Sequence, residues 1–571
     1  MKFFRILIIF FILSIGFFLR IWHIKESAAN IGFDEAALGY NAYSLMLTGK
    51  DEHAFKYPIS LKSFGDYKPA MYTYLTIPFI KIFGLTNLSL RMVSAISGVV
   101  LAYFVYLILG IYVKDEKYRI AGLILAVMQP WSLHFSRVAL ETNLSAAFYT
   151  MGIYFYLKNR NKFNIYLYIG YIFCFIASIY SYHGARVAVP LFLILMQLDP
   201  IKWMLRDKKK LFNRREILSI MVIIFCYIPI FLNASAMSVL TRFNQENFFK
   251  IFSPYAPKEL LNFPLIKFYY LIGMLCGRLW AYFSPINWGG KIYIWIRQSV
   301  MHIPEFGMVG WIESITFIVG VVLIIKNIIK DKYRVLVYWL VAGLAPAAAT
   351  WNWFHPLRCL NAMGSVEIFC FLGMIYVYKQ LGTFLKIVFL SLILIQFVFI
   401  VNNEIGFSYY ETHGNFQPGG FMEGVEIIKN VYDQYDQIIV DSPQAQSYIF
   451  ILYYFKIDPI LVQSQSHLRK PNEKRSWNVD FGKFKFRTIN WQEDRKLKKT
   501  ILWKYPDLDV NEIKKQNNGE WLTQLNKGDG GVSSLISMRR CKSFFRSIAI
   551  LFSFKKPVAI FSFLLFPVNL L

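Results

Sequence analysis

The regular alternation of long apolar segments with short basic loops constrains this chain more than any other feature. Hydrophobic residues make up 56% of its 571 residues and charged residues only 17%, whereas soluble domains carry about 25% charged residues. An apolar segment of about 17–25 residues is long enough to cross the hydrocarbon core of a bilayer. We therefore predict an all-α polytopic membrane protein over residues 1–401. Its eleven predicted transmembrane helices lie near residues 4–21, 92–113, 119–136, 143–157, 164–182, 186–201, 217–236, 309–325, 335–350, 359–377 and 385–401.

The basic residues predict the orientation of these spans. They concentrate in alternate loops, so the net charge of +27 does not indicate a nucleic-acid partner. Positively charged loops stay in the cytoplasm. We therefore expect a multi-pass protein of the cell membrane whose N-terminus and basic loops lie on the cytoplasmic side. The basic loops contain Lys114, Lys117 and Arg119; Lys158, Arg160 and Lys162; residues 202–215; residues 326–334; and Lys379 and Lys386. The extracytoplasmic parts are then 22–91, 137–142, 182–186, 237–308, 351–358 and the chain after about residue 402.

The first apolar segment also has a second interpretation, as a cleaved signal peptide. No small-x-small cleavage site follows it, and Trp22 and Lys25 suit an interfacial anchor. A retained first span is therefore preferred. The six cysteines show no CxxC spacing, so the sequence predicts neither a disulfide framework nor a zinc site.

The chain changes character after Asn402, where the apolar spans end. Short segments there follow a helix–strand–helix–strand order, which predicts a small extracytoplasmic α/β domain over residues 402–540. These segments are Val425–Val431, Gln437–Asp441, Gln446–Phe455 and Pro459–Val462. The last stretch, 541–571, is basic and then apolar. It suits a surface-lying helix, a spanning helix or an unstructured tail, and the sequence does not choose among them.

Two adjacent carboxylates, Asp34 and Glu35, lie just outside the first span. Asp34 precedes a helix-like run to Met46, so one interpretation is an N-cap. The other is a general base at the outer membrane face, since a carboxylate can take a proton from an attacking hydroxyl. A polar, aromatic loop follows and ends near Lys68-Pro69. Its candidates for substrate contact are Tyr40, Asn41, Asp66 and Tyr67.

Further charged clusters stand at the ends of other spans that are expected outside. Arg137 and Glu141 form one, which could equally be a local (i, i+4) ion pair. Arginine and lysine both bind phosphate, arginine through a planar fork. The cations and imidazoles expected on this face are Lys68, Arg91, Arg137, His183, Arg186, His302, His355 and Arg358. A cationic ring around a carboxylate at a membrane surface favours a phosphate-bearing lipid substrate. No phosphate-binding glycine motif is present, so a bound nucleotide is not supported.

These residues resemble a known family, the polytopic glycosyltransferases of the GT-C fold. The similarity is to the branch of protein O-mannosyltransferases and the bacterial lipid A aminoarabinose transferase. It covers roughly residues 1–400 and is carried by Phe33-Asp34-Glu35, Lys68-Pro69, Arg137 to Glu141, and the YSYHGAR and FHPLR segments. Two positions depart from the family pattern: Glu141 stands where relatives often have Asp, and Ala70 where a second proline is common.

The resemblance implies an inverting transfer from a polyprenyl-phosphate sugar to a protein, lipid or glycan acceptor outside the cytoplasm. It implies that Asp34 is the base, with Glu35 or Glu141 orienting the acceptor. Lys68, Arg137 and one or more of Arg186, His355 and Arg358 would stabilise the departing phosphate. No metal or cofactor is then required, although a metal held by Asp34, Glu141 and a histidine stays possible. The alternatives are a lipid-linked oligosaccharide flippase without catalysis and a surface-polysaccharide ligase or polymerase.

Overall fold

The computed structural model describes most of the predicted membrane domain and parts of the C-terminal region. The described residues are 2–24, 31–64, 66–204, 214–232, 308–350, 355–404, 425, 428–440, 448–465, 480–494, 497–504 and 534–537. The candidate His302, most of the predicted loop 237–308 and the tail 541–571 lie outside them.

The first half of the chain forms helices joined by one β-hairpin. In chain order these are α1 (Lys2–Ile21), α2 (Phe33–Thr48), β1 (Ser60–Ser63), β2 (Asp66–Pro69), α3 (Met71–Phe83), α4 (Asn87–Tyr112), α5 (Glu116–Met128), α6 (Pro130–Ser136), α7 (Glu141–Asn161), α8 (Ile165–Ser181), α9 (Ala185–Leu198), α10 (Pro200–Met204), α11 (Arg214–Phe225) and α12 (Ile228–Leu232).

In the described residues from 308 onward, four long helices come first and short elements follow. They are α13 (Trp311–Lys326), α14 (Asp331–Ala348), a 3₁₀ turn (Leu360–Ala362), α15 (Met363–Gln380), α16 (Thr383–Asn402), β3 (Gln437–Val440), α17 (Tyr448–Phe455), α18 (Pro459–Ser464), β4 (Phe484–Phe486), α19 (Trp491–Asp494), β5 (Thr500–Lys504) and β6 (Ser534–Ser537).

Five helices in the described part are long and apolar enough to cross a membrane, which fits a membrane protein. They are Phe3–Ile21, Asn87–Tyr112, Arg214–Leu232, Leu360–Gln380 and Thr383–Asn402. The other predicted spans coincide with shorter, more polar or interrupted helices, so the number eleven stays a prediction. The span expected at 119–136 is interrupted at Gln129, which caps α6 through Ser132 N at 2.8 Å. Pro130 then occupies the first helical turn, where it costs no hydrogen bond.

In its described residues, the predicted outer loop 22–91 contains helices and a β-hairpin. The helix expected over 35–46 is confirmed as α2, whereas α3 was not predicted. Between them, β1 and β2 pair antiparallel, with Leu61 opposite Lys68 and Ser63 opposite Asp66. This register holds Lys68 on a short hairpin instead of on a flexible loop.

Close helix packing depends on small residues at several crossings. Helices α7 and α8 run antiparallel, with Ser145 Oγ and Ser178 Oγ 2.9 Å apart. At the crossing of α13 and α15, a Cβ added to Gly320 would lie 2.0 Å from Phe369 O, and one added to Gly373 would lie 1.9 Å from Thr316 O. Only glycine permits these two backbones to approach so closely.

Acidic and basic side chains gather at both ends of the helix bundle. At one end, ion pairs join the starts and ends of helices at the predicted cytoplasmic loops: Arg160 to Glu216 at 2.9 Å, Arg334 to Asp199 at 3.0 Å and Arg5 to Glu116 at 3.4 Å. The opposite end, here called the site end, is where α2, α4 and α7 begin and α1, α6 and α16 finish. The acidic and basic candidates from the predicted outer loops meet there.

The chain divides into two compact units, and the small α/β domain expected over 402–540 stays a prediction. The first contains Met1–Gln417 with Ser442–Phe486, and the second contains Pro418–Asp441 with Arg487–Leu571. In the second unit, β5 lies between β3 and β6 and is parallel to both. Ile439 of β3 and Leu502 of β5 are buried together, and Ile489 and Leu497 pack against them. The strand prediction at 437–441 is confirmed over Gln437–Val440.

Helices α17 and α18 belong to the first unit and pack on α2. Tyr40 Oη donates to Ile457 O at 3.0 Å, and Gln463 Nε2 donates to Ser44 Oγ at 2.9 Å. The predicted strand Pro459–Val462 is wrong, because these residues begin α18. Asp458 caps that helix through Ile460 N at 2.9 Å, and a proline stands in its first turn.

Candidate active site

Asp34 and Lys68 form an ion pair at the site end. The pair joins Lys68 Nζ to Asp34 Oδ1. The Asp34 side chain is 58% exposed and the Lys68 side chain only 8%. The carboxylate is therefore accessible to solvent, while the ammonium that pairs with it is buried. The helix α2 has Gly32 as its N-cap, so Asp34 lies in the first helical turn and the expected capping role is wrong. A carboxylate there is still favoured by the helix dipole.

Glu35, the next residue, is held quite differently. Its two oxygens accept from Arg91 Nε and Nη2, both at 2.8 Å. Ala139 N donates to Oε1 at 2.7 Å and Gly32 N donates to Oε2 at 3.1 Å. With 2% exposure and four donors on its two oxygens, Glu35 is a structural joint between α2, α4 and the segment before α7. The sequence-based prediction that Glu35 is catalytic is therefore corrected to a positioning role.

Arg137 is also buried, with 3% exposure. Its Nη1 donates to Leu19 O at 2.7 Å and to Trp22 O at 2.9 Å, and its Nε lies 3.3 Å from Glu404 Oε1. These contacts fasten the end of α1 to the end of α16. They correct the expectation that Arg137 presents its guanidinium to a phosphate. Glu141, the first residue of α7, is 8% exposed.

Glu404 is a site-end residue that the sequence reasoning missed. Besides Arg137, it contacts His134 Nδ1 at 3.0 Å. The sequence did contain a sign of it, since Glu404 is an acid three residues beyond the last predicted apolar span, 385–401. Only the fold shows that it faces α6, because 270 residues separate Glu404 from His134.

His183 connects the turn between α8 and α9 to the hairpin. Its Nε2 lies 2.8 Å from Tyr67 O, in the residue before Lys68. Arg186 follows three residues later in the first turn of α9 and is partly exposed. His183 therefore lies against the hairpin that carries Lys68, and a site shared by His183, Arg186 and Lys68 stays a prediction.

His355 and Arg358 share a turn between α14 and α15. Arg358 N donates to His355 O at 3.0 Å. Burial, and after it the neighbouring charge of Arg358, together lower the pKa of His355 to about 3. The imidazole is therefore neutral at pH 7, which corrects its expected role as a cation. A neutral imidazole can still donate one hydrogen bond to a phosphate.

Two predicted substrate contacts lie in the interior. Tyr40 is fully buried and donates to Ile457 O, and Asn41 donates to Glu52 Oε1 at 3.2 Å while accepting from Glu52 N at 2.9 Å. These residues tie α2 to its neighbours and are corrected to structural roles. The backbone of Asp66 lies in β2, and its side chain is outside what the structure describes.

In the described ranges, no group of three or more histidine, cysteine, aspartate or glutamate side chains is arranged to hold a metal ion. Among the groups described above, Glu35 contacts Arg91, and Glu404 contacts both His134 and Arg137. The exposed carboxylate of Asp34 is the group best placed for acid–base chemistry.

No family model and no curated protein sequence matches this chain significantly. Similar solved structures include ArnT from Cupriavidus metallidurans bound to undecaprenyl phosphate, with 10% identity and a TM-score of 0.48 over 82% of this chain and 88% of that chain. The archaeal oligosaccharyltransferase AglB from Archaeoglobus fulgidus, in complex with an inhibitory peptide and a dolichol-phosphate, has 12% identity and a TM-score of 0.45 over 79% of this chain. The present chain spans 64% of the length of AglB. Both are glycosyltransferases of the GT-C fold.

Proposed function

We propose that this protein is an inverting, membrane-embedded glycosyltransferase. It would move a sugar from a polyprenyl-phosphate donor to a hydroxyl of a protein, lipid or glycan acceptor on the extracytoplasmic side. One observation carries the proposal: of two adjacent carboxylates at the site end, Asp34 is exposed and contacts Lys68, while Glu35 is locked by Arg91. An exposed base beside a cation is what a transfer from a phosphate ester needs.

The reaction would proceed in a single displacement. The acceptor hydroxyl gives its proton to a carboxylate oxygen of Asp34 as its own oxygen attacks the anomeric carbon of the sugar. The bond between that carbon and the phosphate oxygen breaks at the same time, and the electron pair leaves with the polyprenyl phosphate. The sugar is therefore transferred with inverted configuration.

The negative charge that develops on the leaving phosphate needs nearby cations. Lys68 is the first, because it is held rigidly by the hairpin and points toward Asp34. Arg186 and Arg358 are the next, since both are partly exposed at helix starts or turns of the site end. Such preorganised charge is often the largest single contribution to catalysis. Arg137 is not among them, because its guanidinium is already used between α1 and α16.

Product analysis tests this function directly. Purified protein is incubated with polyprenyl phosphates that carry different sugars and with candidate acceptors, and the products are identified by mass spectrometry. We expect one sugar to appear on an acceptor together with free polyprenyl phosphate, and we expect Asp34→Asn to slow the formation of both products by about 10²–10⁴. Transport of unchanged lipid across proteoliposomes, with no transfer by the wild type, would overturn the proposal in favour of a flippase.

A further inference from the structure

Four aromatic rings form two layers beside the Asp34–Lys68 pair. In the front layer, Phe33 and Phe64 are partly exposed and meet edge to face, with ring centroids 6.5 Å apart. In the back layer, Phe450 and Tyr448 are each 2% exposed. Phe450 lies 4.7 Å from Phe33 and Tyr448 lies 6.2 Å from Phe64, measured between ring centroids.

The front layer adjoins both reacting groups. Phe33 directly precedes Asp34 in α2, and the Phe64 ring centroid lies 5.6 Å from Lys68 Nζ. The backbone of Phe64 has φ of 49°, in the left-handed region that bulky residues rarely adopt. Such strain persists only where the surrounding structure imposes it, and it is concentrated at functional sites. Here the strained turn of the hairpin directs an aromatic ring to the side of Lys68.

The back layer is anchored independently of any substrate. Tyr448 Oη donates to Glu52 Oε2 at 3.1 Å, and Glu52 is in turn bound to Asn41 of α2. A segment more than 380 residues away in sequence therefore supports the rings next to the proposed base. Rings supported in this way lose little freedom when a ligand packs on them.

We infer that Phe33 and Phe64, here called the aromatic platform, form the surface on which the sugar ring of the donor packs. The inference rests on the proposed function. The anomeric carbon must lie within reach of an acceptor at Asp34 and is separated by one oxygen from a phosphate at Lys68. The sugar ring is thus the part of the donor that must occupy the space beside both residues. Its C–H faces suit the electron-rich face of an aromatic ring.

Binding measurements separate contact with the sugar from contact with the lipid. The probes are undecaprenyl phosphate and the same carrier bearing mannose, glucose or a pentopyranose, and the wild type's tightest sugar-bearing probe is used throughout. For Phe64→Leu and Phe33→Leu we expect affinity for that probe to fall about 2- to 10-fold, the range that one aromatic contact provides. Affinity for the bare carrier should stay at the wild-type value, which also shows that the variants are folded.

Matched variants complete the test. Phe64→Tyr keeps an aromatic face and should bind the sugar-bearing probe as the wild type does. Phe55→Leu, an exposed aromatic at 47% on the same loop, should change neither affinity. Equal loss of both affinities in Phe64→Leu and Phe33→Leu, no loss of either, or a wild type that gains nothing from any sugar would overturn the platform. A wild type that binds no carrier at all would instead reject the proposed function.

Discussion

Arg91 holds both carboxylate oxygens of Glu35 at 2.8 Å, one residue after the exposed carboxylate of Asp34. The neighbouring acids therefore have opposite environments, although they are consecutive in sequence. Glu35 fixes the start of α2 against α4, and this rigid start is what presents Asp34 and Lys68 in a constant geometry. A base that is already positioned avoids the entropic cost of being ordered during the reaction.

The first prediction concerns Asp34. Asp34→Asn should lower turnover by about 10²–10⁴, the usual contribution of general acid–base catalysis. Asparagine keeps the size of the side chain, so donor binding and thermal stability should change little. Turnover and donor affinity of the purified variant are measured together. A turnover close to that of the wild type would reject Asp34 as base and leave Glu141 as the next acid.

The second prediction concerns Lys68. Lys68→Ala should weaken binding of a polyprenyl-phosphate donor, because a buried cation facing the phosphate is lost. Lys68→Arg should recover only part of the affinity, since the planar guanidinium differs in shape from an ammonium. Affinity is measured by titration with the donor in detergent. Unchanged affinity in Lys68→Ala would count against a phosphate contact.

The third prediction concerns the joint between α2 and α4. Arg91→Met should lower the free energy of unfolding by about 3–5 kcal/mol, because it leaves the Glu35 carboxylate buried without its charged partner. The double variant Arg91→Met, Glu35→Gln should regain part of that loss. Thermal unfolding in detergent provides the measurement.

An exposed ion pair serves as the matched control for that joint. Arg5 and Glu116 have side chains that are 45% and 29% exposed, and Arg5→Met should cost less than about 1 kcal/mol. If Arg91→Met is no more harmful than Arg5→Met, Glu35 does not depend on Arg91 and the positioning role is wrong.

The fourth prediction concerns pH. Because the pKa of His355 is lowered to about 3 from an ordinary 6.5, the imidazole stays neutral in the folded protein between pH 5.5 and 8. In the unfolded chain, His355 binds a proton more readily than it does in the folded protein. The contribution of His355 to the free energy of unfolding is therefore fully present above pH 6.5 and is lost as pH falls toward 3.

Donor affinity measured against pH tests this state of His355. A phosphodiester donor keeps its charge over this range, so wild type and His355→Asn should show parallel profiles between pH 5.5 and 8. An affinity that rises in the wild type as pH falls through 6.5, and does not rise in His355→Asn, would show a protonated imidazole.

The fifth prediction concerns orientation in the membrane. Lys56 and Lys330 are both exposed and lie in loops expected on opposite sides. In intact cells, a membrane-impermeant thiol reagent should label Lys56→Cys. It should label Lys330→Cys no more than it labels the chain without an added cysteine. Labelling of Lys330→Cys from outside would reverse the orientation and move the site end into the cytoplasm.

Residues near the site were predicted with uneven success, for a physical reason. Lys68, His183 and Arg186 were expected together, because alternation of the spans brings alternate loops to one side of a bilayer. Tyr40 and Asn41 were placed in the site wrongly. The sequence around these residues gives no sign that Tyr40 will bond Ile457, or that Asn41 will bond Glu52 in the interior.

The apolar periods and the pair Asp34-Glu35 are properties of local sequence, and they were sufficient to predict apolar helices and an exposed carboxylate at the start of α2. The orientation that the basic loops predict is tested by the labelling experiment above. Only the tertiary structure decided which of the two carboxylates is exposed and which is buried, because Glu35 is bound by Arg91, which lies 56 residues away in sequence. The same holds for the ring layers at Phe33 and Phe64, whose supports lie in α17. Burial and pairing depend on which distant backbone comes near, and that proximity is a property of the fold instead of any local pattern.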